Sequence, residues 1–167
     1  PYDDINQKEN FVDLIQKLSR IVRTVDGRPL TIRFSNTHTW VSGGVAKIKN
    51  IFVNDWRWDQ RIFDALDFVS FTAYIPEYPE LESTWRSMTT TNVVGSIQRN
   101  KKVWITEFGF NSDNDDTQVS YYRKMMDFFK TLPVDGVAAW FWRSDAAPSG
   151  WSENPGKMGK GANICAS

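Results

Sequence analysis

Two residues stand where a protein built of alternating strands and helices places its chemistry. Glu107 follows the apolar run Val103-Trp-Ile-Thr106, and Tyr74 closes the run Phe68-Val-Ser-Phe-Thr-Ala73. A carboxylate that ends an apolar strand is costly to desolvate unless it is paired or used. Glu107 is therefore expected in or beside a strand-end cavity, able to attack an electrophilic carbon or to move a proton. The plainer expectation is an ion pair with a nearby arginine, Arg143 or Arg33. Position alone weighs the two readings about evenly. A third strand end, Trp140 to Asp145, also gathers aromatic and polar groups.

Around these ends lie weaker candidates. Glu77 sits in the loop after Tyr74, as a solvated charge or a contact to a ligand. Asn36, His38 and Trp40 share the stretch Asn-Thr-His-Thr-Trp. There His38 either lines a subsite beside Trp40 or is a surface histidine, with equal weight. Aromatic residues make up 14% of the chain, with eight Trp, and Trp40, Trp56, Trp58 and Trp151 fall in expected loops. Flat rings in loops suit the apolar C–H faces of sugars; the alternative is that they cap a barrel or an interface. The acidic group Asp113, Asp115 and Asp116 lacks the Gly and terminal Glu of a calcium loop. Helix capping is the better reading for it.

The elements that must position these groups follow from periodicity. Apolar residues at helical spacing predict a helix over 4–25, with Phe11, Leu14, Ile15, Leu18, Ile21, Val22 and Val25 as its stripe. Strands are expected near 30–34, 68–74, 102–107 and 136–142. Positions 36–44 are polar and Gly-rich and read as a loop. Further helices are expected over 59–66, 83–98 and 117–131, the last with a stripe of Val119, Tyr122, Met126 and Phe129. After Asp145 no strong element is expected. Alternating helices and apolar strands predict an α/β fold with parallel strands buried on both faces. In such folds functional groups collect at the C-terminal ends of the strands.

The totals narrow the function classes. Lys+Arg and Asp+Glu both number 20, giving no electrostatic case for nucleic acid or for an anionic membrane. No run approaches the roughly 18 apolar residues that span a bilayer. With one cysteine, Cys165, and one histidine, the chain has neither an internal disulfide nor a multi-His or CxxC metal motif. No strand is followed by a glycine-rich nucleotide signature. No metal and no cofactor is expected. Location stays open, with an extracellular one favoured.

The wording of three strands adds to this. Lys-Val-Trp-Ile-Thr-Glu-Phe-Gly (102–109) resembles the seventh strand of clan A glycoside hydrolases. These are retaining (β/α)₈, or TIM-barrel, enzymes that include many cellulases and mannanases. Phe-Val-Ser-Phe-Thr-Ala-Tyr-Ile-Pro (68–76) resembles their sixth strand, and Gly-Val-Ala-Ala-Trp-Phe-Trp (136–142) their eighth. The resemblance runs from the first helix to Trp142. It departs from several families at Thr72, where they carry a His.

The resemblance implies Glu107 as nucleophile, Tyr74 as its hydrogen-bond partner, and Trp140 as the floor of a sugar subsite. Asn36, His38, Trp40, Glu77 and Trp151 join it as expected substrate contacts. The implied substrate is a β-linked oligo- or polysaccharide. A complete barrel takes about 250 residues, so the whole chain, 1–167, is expected to be one domain supplying the last four β/α units. The acid/base of the clan ends the fourth strand in an Asn-Glu-Pro motif. With Pro1 read as that Pro, the acid/base lies upstream of it. The expected partner is an N-terminal half-barrel or a second copy of the chain. Without it, two sheet edges, near Leu30 and Trp142, and interior residues such as Ile32, Val69, Ile105 and Val137 would be left open. The alternative is a catalytically incomplete fragment serving as a carbohydrate-binding or scaffold module.

Overall fold

The computed structural model describes residues 5–52, 59–109, 115–139 and 165–166. Helix α1 (Ile5–Val25) leads into strand β1 (Arg33–Ser35). A hairpin of β2 (Thr37–Ser42) and β3 (Val45–Asn50) follows, then α2 (Gln60–Ala65) and β4 (Phe68–Thr72). A 3-10 turn at Pro79–Leu81 opens α3 (Glu82–Gln98), which leads to β5 (Lys102–Phe108), α4 (Asp115–Phe129), β6 (Gly136–Ala139) and β7 (Cys165–Ala166). The main sheet runs β1-β4-β5-β6-β7. Its first four strands are parallel and β7 is antiparallel. This is the expected α/β fold, with the four strands in chain order.

Register separates the two faces of the sheet. Phe34 pairs with Phe71, Phe71 with Ile105, and Ile105 with Val137. These residues, with Val69, Ala73 and Val103, pack on the helices. Ile32, Val69, Ile105 and Val137, expected inside a barrel, therefore lie on the helix side. The other face carries Arg33, Ser70 and Trp104 in register, and Trp104 lies against Gly136. A Cβ on Gly136 would come within 2.4 Å of the Trp104 ring, so only glycine admits the indole there.

The hairpin is a finding against the expected loop at 36–44. Gly43 and Gly44 both take positive φ, 60° and 72°, as the tight two-residue turn between twisted strands demands. The hairpin is pinned from below by buried amides. Asn36 Nδ2 donates to Thr89 Oγ1 at 2.7 Å, and Asn92 Nδ2 donates to Asn36 Oδ1 at 2.6 Å. Asn50 Nδ2 donates to Asn92 Oδ1 at 2.8 Å, and Asn50 Oδ1 accepts from Phe52 N–H at 3.0 Å. Phe52 then plugs the core edge-on against Phe34 and Phe71, with centroids 5.1 and 4.7 Å away. Helix α3 thus buries Thr89, Asn92 and Ser96 beside Trp85 and Val93, which is why it shows no simple apolar stripe.

Two helices face differently from their patterns. In α4 the buried apolar residues are Tyr121, Met125, Phe128 and Phe129, while Val119 is exposed. The apolar arc is wide, and the aromatic pile of Phe108, Tyr122 and Phe129 selects which part of it faces inward. In α1 the core takes Val12 and Ile15, and the Ser19 hydroxyl donates to Ala65 O. Leu14, Leu18, Ile21 and Val25 form a second stripe that is 44–83% exposed.

The strand edges also depart from expectation. The first strand begins three residues later than expected, at Arg33, and pairs only with β4 among the described residues. The β6 edge, expected to be open, is paired by β7: Val137 with Ala166 and Ala138 with Cys165. Positions 140–142, the expected end of the fourth strand, lie outside the described residues.

Candidate active site

The site is assembled at the C-terminal ends of β4 and β5. Along β5, Lys102 and Trp104 share one face, and Val103 and Ile105 share the other. Strict alternation would turn Glu107 toward the helices. The ladder instead pairs Ile105 with Phe71 and Glu107 with Thr72, leaving Thr106 without a partner strand residue. This bulge shifts the phase by one. Glu107 emerges on the face of Arg33, and Phe108 goes into the helix-side core. The Ala73 N–H donates to Glu107 O at 2.8 Å and locks the new phase.

Glu107 is 8% exposed, and both of its oxygens are engaged. The Tyr74 hydroxyl donates to Oε1 at 2.8 Å. Arg33 Nη1 donates to Oε2, reaching from β1 across the small Ser70 of β4. The two readings weighed for Glu107 are thus not exclusive: the carboxylate holds the tyrosine and an arginine together. A carboxylate held by two donors is fixed in orientation, with an oxygen aimed by each partner.

Burial, with Tyr122 nearby, pushes the Tyr74 phenol up to about 12, and Arg33 acts in the opposite sense. Tyr74 therefore keeps its proton, and donates, through neutral and mildly alkaline pH. The unfolded chain releases this proton near 10 while the folded one retains it. Stability should consequently fall as pH rises from about 10 toward about 12. Tyr121, raised mainly by burial, acts with the same sign. Alkaline unfolding followed by circular dichroism should show a shallower slope in Tyr74→Phe. An unchanged slope would mean that the phenol does not titrate differently in the folded chain.

Beside Tyr74 lies a cavity of about 380 Å³ between β2 and the loop after β4, lined by Thr37, Thr39, Trp40, Tyr74, Glu77 and Tyr78 among others. Trp40 and Glu77 are thus brought together with Tyr74. His38 stacks on Trp40, with centroids 5.8 Å apart and planes at 13°, but it is not part of the lining. Asn36 is not brought there: it is 2% exposed and spends its amide on Thr89 and Asn92. Trp140, Trp151 and Arg143 lie outside the described residues, as do Trp56 and Trp58. Thr37, Thr39 and Tyr78 were not singled out from sequence. The Gly-Gly turn flanked by alternating residues was the signal that could have located the first two.

No protein-family model matches the chain, and no curated protein matches it. Solved structures do. The endo-β-1,4-mannanase from Thermotoga petrophila superposes with a TM-score of 0.56 at 17% identity, over 80% of this chain and 31% of its own. The hyperthermostable endo-1,4-β-D-mannanase from Thermotoga petrophila RKU-1, with maltose and glycerol, gives 0.56 at 20% identity, over 80% and 41%. The chain spans well under half the length of either. The likeness is one of fold: over 80% of its length the chain has the α/β fold of a segment of these structures.

Proposed function

We propose that this chain supplies the nucleophile-bearing half of a retaining glycoside hydrolase acting on β-linked oligo- or polysaccharides. The observation that carries the reading is the Glu107 carboxylate, held by Tyr74 and Arg33 at the end of a central parallel strand beside an aromatic, hydroxyl-rich cavity. In the first step a Glu107 oxygen bonds to the anomeric carbon. The glycosidic C–O bond breaks, and the leaving oxygen takes a proton from an acid/base carried upstream of Pro1. That group then deprotonates a water, which displaces Glu107 and regenerates the carboxylate. Trp140 floors the adjacent subsite in this reading, with Trp151 and His38 as further contacts.

The test is hydrolysis of β-1,4-mannohexaose, with the first-formed anomer read by proton NMR. A β product supports the double displacement. An α product means a single displacement by water and removes Glu107 as nucleophile.

A second reading, a carbohydrate-binding or scaffold module without catalysis, is favoured by one feature. Both Glu107 oxygens are occupied, and among the described residues their donors are Tyr74 and Arg33, with no second carboxyl group bonded to the set. Saccharide binding without hydrolysis would select it.

The barrel reading also implies a partner. The unpaired side of β1 and the exposed stripe Leu14, Leu18, Ile21 and Val25 are the surfaces that the β/α units of an N-terminal half would cover, or failing that a second copy. Sedimentation of the 167-residue chain should show self-association, or pairing with an added N-terminal half. A monodisperse monomer that hydrolyses the substrate would overturn both the missing half and the missing acid/base.

A further inference from the structure

The outer face of the β2–β3 hairpin is used neither by the core nor by the catalytic reading. Residues directly opposite one another on paired antiparallel strands share a face. His38 pairs with Lys49 and Trp40 with Lys47, so these four stand together, and all four are exposed. The intervening pair, Thr39 and Ile48, turns the other way, where Ile48 packs on the core.

Charge and flat apolar surface meet on this face. Residues 37–50 include two lysines and no acidic residue. Among the described residues neither lysine makes a salt bridge. Alternate residues on a strand stand about 7 Å apart, so cations repeat at that interval along β3. Beside them His38 and Trp40 lie nearly parallel, at 13°, as an exposed ring pair. Trp40 also lines the cavity beside Tyr74, so the face is continuous with the candidate active site. A ligand that fits carries anionic groups at intervals and apolar ring faces between them. Charge-assisted hydrogen bonds from the lysines hold its carboxylates, and an indole takes up its C–H surface. An acidic polysaccharide has both. The Glu77 side chain lines the cavity and not this face, so the acidic residues belong on the hairpin, outside the cavity.

We propose that the outer face of the hairpin binds acidic residues of a polysaccharide, Lys47 and Lys49 meeting carboxylates and Trp40 a sugar ring. This goes beyond the hydrolase reading and rests on it only for the ligand being a saccharide. A single-stranded nucleic acid offers related chemistry, phosphates with stacking bases, and the test separates the two.

The probes are β-1,4-mannohexaose, the corresponding β-1,4-mannuronate hexamer, which carries carboxylates in place of the primary alcohols, and oligothymidylate. Each is titrated calorimetrically into the whole chain at pH 7 and low ionic strength. The mannuronate should bind about five- to tenfold tighter than the neutral hexamer, on the scale of two exposed ion pairs. At about 1 M salt, where screening acts within ~3 Å, the difference should vanish. Lys47→Gln with Lys49→Gln should remove it as well. Lys17→Gln with Lys130→Gln takes away the same net charge at exposed positions elsewhere and should leave it as it is. Trp40→Ala should weaken mannuronate binding several-fold. Equal binding of the two saccharides, no mannuronate binding, an equal loss in both lysine pairs, or oligothymidylate binding as tightly as mannuronate overturns the proposal. Failure of Glu107 as nucleophile leaves this result standing, and loss of mannuronate binding leaves the labelling of Glu107 untouched.

Discussion

Replacing Glu107 by Gln should slow covalent capture of an activated β-fluoroglycoside by about ten-thousandfold, the scale seen when a covalent nucleophile is removed. The probe carries fluorine beside its anomeric carbon and a dinitrophenolate leaving group. The fluorine slows both steps of a double displacement, and the leaving group restores the first. The bond from the anomeric carbon to the phenolate oxygen breaks, its electron pair departs with dinitrophenolate, and a Glu107 oxygen bonds to the carbon. No proton is needed for departure, so the experiment does not depend on the acid/base. The native chain should gain one glycosyl group, found by mass spectrometry on the peptide containing Glu107. Gln keeps the shape and can still accept from Tyr74, but it lacks the charge that attacks. Labelling at another residue, or equal labelling of the Gln variant, would remove Glu107 from this role.

The second large effect is on stability. Asn92 is 0% exposed and bonds both Asn36 and Asn50. Asn92→Ala would remove the donor to the buried Asn36 carbonyl oxygen and the acceptor of the Asn50 amide. Each such group costs about 1–3 kcal/mol, so the loss should reach about 2–5 kcal/mol. Urea unfolding should register it as a lower midpoint with an unchanged slope. A loss under about 1 kcal/mol would mean that the hairpin relaxes away from α3 at little cost. Since β2 forms one wall of the cavity, oligosaccharide affinity should fall with it.

The parallel part of the sheet was legible in the sequence because its four strands are apolar runs bounded by turns, a pattern that survives most tertiary contexts; β7, two residues beyond Asp145 where no strong element was expected, was not. The hairpin was not, although Gly43-Gly44 between alternating stretches is a turn signal. The polar residues around it resembled a loop, because the face buried on α3 is made of amides rather than hydrocarbon. The same inversion moved Asn36 from an expected substrate contact to the frame that holds the wall. For α1 and α4, periodicity located the helices but could not orient them, since each has more apolar residues than one face can bury. At the strand ends, residue type and position singled out Glu107, Tyr74 and an arginine as an alternative partner. What could not be read was that one carboxylate serves Tyr74 and Arg33 together. That depends on a side chain reaching across an intervening strand, which no spacing along the chain encodes.

The unpaired residue at Thr106 makes the site a matter of parity. Side chains along β5 point alternately to the two faces, and one supernumerary position decides whether the fifth residue after Lys102 points to the helices or to Arg33. The Thr106 hydroxyl is buried and has no hydrogen-bond partner among the described residues, so its chemistry is not what keeps it there. Thr106→Val should therefore leave stability and labelling close to native. Deleting the same residue should close the bulge and place Glu107 directly after Ile105, so that plain alternation still turns it toward Arg33 and labelling persists; loss of labelling would mean that the bulge geometry itself aims the carboxylate. The number of residues that take part in the ladder, rather than the identity of the one that is skipped, determines which face of the sheet carries the carboxylate.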